Sequence, residues 1–179
     1  MKAIRNFEEL IAHLSDRKER RRVAVVCGSD ESTREAVARA EAAGFIEATM
    51  VDDDDVDVAA ARAVALVREG KADVLMKGLL NTDNLLKAVL NKETGILPKG
   101  RVLTHLTCAQ IPQMDRLLFV TDVAVIPYPT KEQRAEQLRY LLGLCRAMGI
   151  EEPRVSLINC SEKVNAKHFP FTVEYQELI

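Results

Sequence analysis

A chain of 179 residues with 47% hydrophobic and 29% charged residues has the composition of a soluble globular protein, long enough for one well-packed domain or one domain and part of a second. The net charge of -2 gives no global pull toward nucleic acid or an anionic membrane, and no apolar run nears the roughly 20 residues needed to span a bilayer. Trp is absent and aromatic residues are only 4%, so the core must be aliphatic.

Helix and strand patterns alternate along the chain, which predicts an α/β fold with a mostly parallel sheet and flanking helices. Phe7, Leu10, Ile11 and Leu14 fall at helical spacing and lead into a basic stretch, Arg17 to Arg22, that reads as a solvated helix end. Val23 to Cys27 is a continuous apolar run ending at Gly28, the pattern of a strand buried on both faces. Ser32 with Glu35 predicts a capping box and a helix closed by Gly44. Phe45 to Val51 reads as a second strand, stopped by Asp52 to Asp55, which reads as a solvated turn. A helix over Ala59 to Val67 closes at Gly70, a third strand covers Val74 to Met76, and a helix follows over Thr82 to Asn91.

Beyond Gly95 the signals change. Ile96 to Arg101 reads as a loop, and strands are expected over Val102 to Thr107 and Leu117 to Ile126, joined by a hairpin-like turn containing Pro112. Thr130 with Gln133 predicts a second capping box and a helix to Met148, with Gly149 just beyond it. Arg154 to Asn159 is expected to be a further strand. Pro127 and Pro129 place a domain boundary near Pro127, giving a first α/β domain over 1–127 and the start of a second over 128–179.

In open parallel sheets, ligands gather beyond the carboxyl ends of the strands. The turn Gly28 to Ser32 carries Asp30 and Glu31, which would repel an anion. The turn Lys77, Gly78, Leu79, Leu80, Asn81, Thr82 offers a cation, a glycine and a helix N-terminus, a better phosphate site, though the same residues would serve an ordinary βα loop. Thr104 and His105 sit in an apolar run, where a histidine is a satisfied strand group or a cleft residue. Asp122 interrupts the apolar run Phe119 to Val125 and needs a partner, structural or in a site. The cysteines Cys27, Cys108, Cys145 and Cys160 show neither C-x-x-C pairing nor zinc spacing. That pattern, with no signal-peptide stretch at the N-terminus, suits a reduced cytoplasm.

Several ordered segments carry a resemblance. Ala72 to Gly78, then Asn81-Thr82 and Leu85 to Leu90, are followed by Gly100 to His105 and by Asp115 to Asp122. Gly149-Ile150, Pro153 to Val155 and Glu162 to Asn165 continue in order. Together they resemble the phosphate butyryltransferase and phosphate acetyltransferase family from about Val23 to Tyr175. The resemblance implies reversible transfer of an acyl group between phosphate and coenzyme A, in a two-domain fold similar to that of the isocitrate and isopropylmalate dehydrogenases, usually in a homodimer. Coenzyme A, acyl phosphate and phosphate would be substrates, with no separate cofactor, no metal, no nucleic acid and no membrane partner. It assigns Lys77, Gly78, Asn81, Thr82, Thr104 and Glu162 to substrate contacts, and His105 and Asp122 to catalytic or orienting roles.

The family pattern continues past Ile179 to a Ser-Arg motif and an Asp that nothing here matches. The resemblance therefore implies a C-terminally truncated member, its second domain incomplete and this polypeptide inactive alone. A non-catalytic scaffold or ligand-binding fragment of the same family is the alternative. A dehydrogenase of the related fold is disfavoured by the lack of a G-x-G-x-x-G fingerprint and of a metal-binding aspartate cluster. The acyl-chain preference stays open, because one methylene changes preference by only about 1–3 kcal/mol.

Overall fold

Strand β1 (Arg21–Val26) is the centre of a three-stranded parallel sheet in the order β2-β1-β3, with β2 (Ile46–Val51) and β3 (Val74–Lys77) on its two sides. The computed structural model describes residues 2–17, 19–159 and 161–178. Val23 through Val26 are buried on both faces, and the period-2 alternation of a strand divides them. Ala24 and Val26 face a cluster with Val51, Ala59, Ala60, Ala63, Ala72 and Leu80. Val23 and Val25 face Val37, Ile46, Ala48 and Met76. The first cluster is closed by α3 (Val56–Arg68), whose fully buried alanines let the helix approach the sheet closely, and the second by α2 (Glu31–Ala42).

These helices begin on aspartates. Asp30 caps α2 by accepting from Thr33 N at 2.9 Å and from the Ser32 hydroxyl at 2.6 Å, so the helix starts at Glu31 and the capping box expected at Ser32 is not formed. Asp55, from the run expected to be only a solvated turn, caps α3 through Asp57 N. Gly44 and Gly70 end the two helices at φ of +86° and +68°, where a glycine adopts the left-handed backbone without penalty. Helix α4 (Thr82–Val89) follows β3.

The chain packs as two units, one of Ile11–Lys99 and one of Met1–Leu10 with Gly100–Ile179. The boundary expected at Pro127 falls inside the second unit, because the elements on either side of that proline pack together. Strands β4 (Leu106–Gln110) and β5 (Leu117–Thr121) form an antiparallel hairpin, as the turn at Pro112 leads one to expect. Helix α5 (Lys131–Ala147) begins on Thr130 with both halves of the capping box in place. Leu117, Phe119 and Cys108 of the hairpin join Leu144, Met148, Ile4 and Leu10 in one apolar cluster, and Ile4 N donates to Met148 O at 2.9 Å. The first helix, α1 (Phe7–Ser15), and the last, α6 (Phe171–Gln176), complete the elements.

The strands of this unit are shorter and fewer than the sequence leads one to expect. The first strand of the hairpin begins at Leu106, leaving Val102 to His105 without regular structure, and the second stops at Thr121. Residues 154–159 form no strand: they make no ladder with a described strand, and Val155 and Ile158 are exposed. Cys160 lies outside the described residues. No helix of the described residues is long and apolar enough to cross a membrane.

Candidate functional site

The carboxyl ends of β1 and β3 lie side by side, and their turns interlock through backbone. Gly78 N donates to Val26 O and Leu79 N to Cys27 O, both at 2.8 Å, with Cys27 held at a left-handed φ of 51°. A Cβ at Gly78 would stand 2.3 Å from the Cys27 carbonyl oxygen and 2.8 Å from Gly28 Cα. The glycine is therefore required for the approach of the neighbouring turn, a different reason from the approach of an anion. Lys77 makes no ion pair among the described residues; its Nζ donates to Leu80 O at 2.8 Å and to Gly78 O at 3.3 Å. An ammonium has three protons, so one remains beyond these two carbonyls. Asn81 occupies the N-cap of α4 with no side-chain cap, and Thr82 opens the helix, whose first turn also holds Asp83. Lys77, Gly78, Asn81 and Thr82 are thus gathered in one exposed turn.

The competing turn is acidic, as expected. A cleft of about 460 Å³ at the ends of β1 and β2 is lined by Asp30, Asp52, Asp53 and Asp54, together with Cys27. Hydrogen bonds from Ser32 and Thr33 pull the Asp30 carboxyl down to about 2, so it is ionised at neutral pH. Burial, aided by Asp52 and Asp53, pushes the Cys27 thiol up, away from a nucleophilic thiolate. Among the described residues no group of three or more His, Cys, Asp or Glu is placed to hold a metal ion.

In the second unit Asp122 is the hub of a polar network. Its Oδ2 accepts from the Thr104 hydroxyl at 2.5 Å and from His105 N at 3.1 Å, and its Oδ1 from Ala124 N and Val125 N at 2.9 and 2.8 Å. Burial opposes the charge, but these four donors outweigh it and hold the carboxyl well below the usual carboxylate range. A carboxylate so satisfied is a weak proton acceptor and a strong organiser of the chain around it. The His105 ring is exposed, with Nδ1 3.4 Å from the Thr107 hydroxyl. Thr104, His105 and Asp122 are brought together; Glu162 is exposed in an irregular stretch and makes no hydrogen bond or ion pair with them among the described residues. The Lys77 turn belongs to the other unit.

Two residues of this network were not anticipated from the sequence. Gln137, on α5, donates from Nε2 to the Thr104 hydroxyl at 3.1 Å, and its neighbour Glu136 accepts from Arg101 at 2.6 Å. The signal for Gln137 is periodic: Gln137, Leu141, Cys145 and Met148 repeat at helical spacing and are all buried, so the polar residue heads an apolar stripe. Beside the network a cavity of about 550 Å³ is lined by Thr121, Asp122 and Gln137 together with Leu118, Leu138 and Leu141, a size in the range of small-molecule sites.

Comparison with known proteins places these features in a family. A family model described as phosphate acetyl/butaryl transferase matches residues 53–172. The phosphate butyryltransferase of Clostridium acetobutylicum is 36% identical over 194 residues, spanning 96% of this chain and 64% of its own length. That of Clostridium beijerinckii is 33% identical over 184 residues, spanning 90% of this chain and 60% of its own length. A solved structure, the branched-chain phosphotransacylase from Enterococcus faecalis V583, superposes with a TM-score of 0.72 at 23% identity, covering 88% of this chain and 62% of that one, a likeness of fold. The chain spans less than two thirds of the length of these relatives. With a family model matched over most of the sequence and identity above 30% along nearly all of it, the chain belongs to the phosphate acetyl/butyryl transferase family.

Proposed function

We propose that the protein containing this chain is a phosphate acyltransferase, moving an acyl group reversibly between phosphate and coenzyme A. The observation that carries the reading is 36% identity to a phosphate butyryltransferase along 96% of the chain. In the forward direction the thiolate of coenzyme A attacks the acyl-phosphate carbonyl. A carbon–sulfur bond forms, the carbon–oxygen bond to phosphate breaks, and the electron pair leaves with inorganic phosphate. The thiol proton passes to a base or to solvent.

Lys77 and the uncapped start of α4 are the groups we assign to the phosphate. The third ammonium proton and the N–H groups of Thr82 and Asp83 at the start of α4 supply charge-assisted hydrogen bonds to its oxygens. Thr104 and His105 are assigned to the acyl end, with Asp122 holding them in place and Glu162 as a polar contact nearby in the sequence order of the family. Coenzyme A is a substrate, and no separate cofactor is assigned. The wider reading includes the two-domain architecture of the isocitrate and isopropylmalate dehydrogenases, a homodimer and a cytoplasmic setting.

The test is an assay of thioester formation from butyryl phosphate and coenzyme A, on the gene product that carries these 179 residues. Turnover is expected, and Lys77→Ala should raise the KM for butyryl phosphate tenfold or more while the KM for coenzyme A stays within a factor of about two, since a hydrogen bond to a charged group contributes about 1.5–3 kcal/mol. No thioester above background would leave the alternative, a non-catalytic scaffold of the family. Equal rises in both KM values would remove Lys77 from the phosphate site.

A further inference from the structure

Among the described residues the buried polar or charged side chains are Glu136, Gln137 and Thr172. Glu136 and Gln137 are consecutive on α5, and both are spent on the same short stretch, Arg101 to His105. Glu136, 6% exposed, accepts from Arg101 at 2.6 Å and also pairs with Arg139. Gln137, 5% exposed, donates to the Thr104 hydroxyl at 3.1 Å. Because that hydroxyl accepts from the amide, its own proton is directed to Asp122 Oδ2, 2.5 Å away, and the same oxygen takes the His105 N–H at 3.1 Å. The stretch has no ladder of its own, since β4 begins only at Leu106. Its position is set by side chains.

Such a pair is a poor choice for stability alone. An amide and a carboxylate on the buried stripe of a helix lose hydration that an apolar side chain would not lose, and they regain it only through well-placed partners. What they supply is direction: two fixed anchors, about three residues apart on the held segment, reaching it from one rigid helix. We infer that Glu136 and Gln137 are positioning residues, a brace that fixes the Thr104–His105 segment and so presents the exposed His105 ring to the reacting acyl group. The inference rests on the acyltransferase reading given above. Gln137 acts through the polarity of the chain Gln137 to Thr104 to Asp122, and Glu136 through Arg101.

The experiment uses the gene product that carries this chain and compares Gln137→Leu, which suits the apolar stripe but donates nothing, with Glu136→Gln, which keeps a hydrogen-bond acceptor for Arg101. Hydrogen exchange at the His105 amide, the melting temperature, and kcat and KM with butyryl phosphate and coenzyme A are measured on each. In Gln137→Leu the melting temperature is expected to hold, exchange at His105 to rise tenfold or more, and kcat to fall tenfold or more with the KM for coenzyme A unchanged. Glu136→Gln should move the same readouts in the same direction by less. If exchange at His105 does not change, or changes while kcat does not, the brace is refuted. A parent protein that forms no thioester at all refutes the acyltransferase reading and, with it, the catalytic purpose of the brace, whereas an active parent with indifferent variants refutes the brace alone. If Gln137→Leu does not fold, Glu136→Gln decides by the same criteria.

Discussion

The unit Ile11–Lys99 and the unit of Met1–Leu10 with Gly100–Ile179 hold their backbones in opposite ways. In the first, β1 pairs along its length with β2 and β3, alanines bring α3 against the sheet, and aspartate caps and glycine ends fix the helices. Hydrogen bonds between backbones and apolar contact do nearly all the work, even at the Lys77 turn, where Gly78 and Leu79 bond to the end of β1. In the second, a two-stranded hairpin and one long helix leave Val102 to His105 and residues 122–125 without a ladder, and Asp122, Gln137 and Glu136 tie them down. The lesson concerns substitution. A backbone-held turn is sensitive to added volume, and a segment held by side chains is sensitive to the loss of a single donor or acceptor.

The largest effect that would test this contrast is at Gly78. In Gly78→Ala the new Cβ meets the Cys27 carbonyl carbon at 2.7 Å and its oxygen at 2.3 Å, and backbone cannot rotate away as a flexible side chain can. Destabilisation of about 3 kcal/mol or more is expected, the upper end for overpacking. Urea unfolding followed by exchange in β1 and β3 would check it, and a loss below about 1 kcal/mol would break the comparison.

A smaller effect is expected in the second unit from Thr130→Ala. It removes the hydroxyl that accepts from Gln133 N, and with it the side-chain half of the capping box of α5, the helix that carries Glu136 and Gln137, and should cost about 1 kcal/mol. Exchange should quicken first in residues 131–134, with β1 unaffected. Equal acceleration in both regions would show that the two do not respond separately.

The smallest effect sharpens the comparison from the first unit, where one exposed ion pair supports the sheet edge. Asp73 accepts from Arg22 at 2.7 Å and 3.2 Å on the side chain and at 2.9 Å on the backbone N–H. These bonds, the Arg22 side chain foremost, bring its carboxyl from 3.8 down to about 2. A folded-state value depressed in this way gives stability that is present in full above the unfolded value and is lost as pH falls through the folded one. The difference in denaturant midpoint between the parent and Asp73→Asn should therefore be nearly constant from neutral pH to about 4, shrink steeply toward about 2 and vanish below it. A difference that persists below that range would deny the ion pair any part in it.

Much of the first unit was legible in the sequence, because its signals are local. The Val23 to Cys27 run, the glycines after α2 and α3, and the turn after β3 each announce themselves within a few residues. The start of α2 was misplaced by two residues because Asp30 and Ser32 both suit a cap, and only geometry shows which oxygen reaches Thr33 N. In the second unit the apolar alternation at Val102 to His105 imitates a strand but lacks a partner, and 154–159 fails for the same reason. Thr104, His105 and Asp122 could each be singled out in the sequence, but that the first two are partners of the third, and that Gln137 grips Thr104 across 33 residues, needed the fold. The purpose of Gly78 was hidden likewise, since the backbone it accommodates is at Cys27.

That last contact also limits how this scaffold can vary over evolutionary time. A βα turn that donates two backbone hydrogen bonds, each of 2.8 Å, to the end of its neighbour forms with it one unit of inheritance. An insertion after Val26 would carry the Cys27 carbonyl away from Leu79, and one after Lys77 would move the glycine out of its slot. Loop-length changes in descendants of this chain should therefore collect after β2, where the acidic turn faces open space, and any transplant of the Lys77 turn into another sheet must bring residues 26–28 with it.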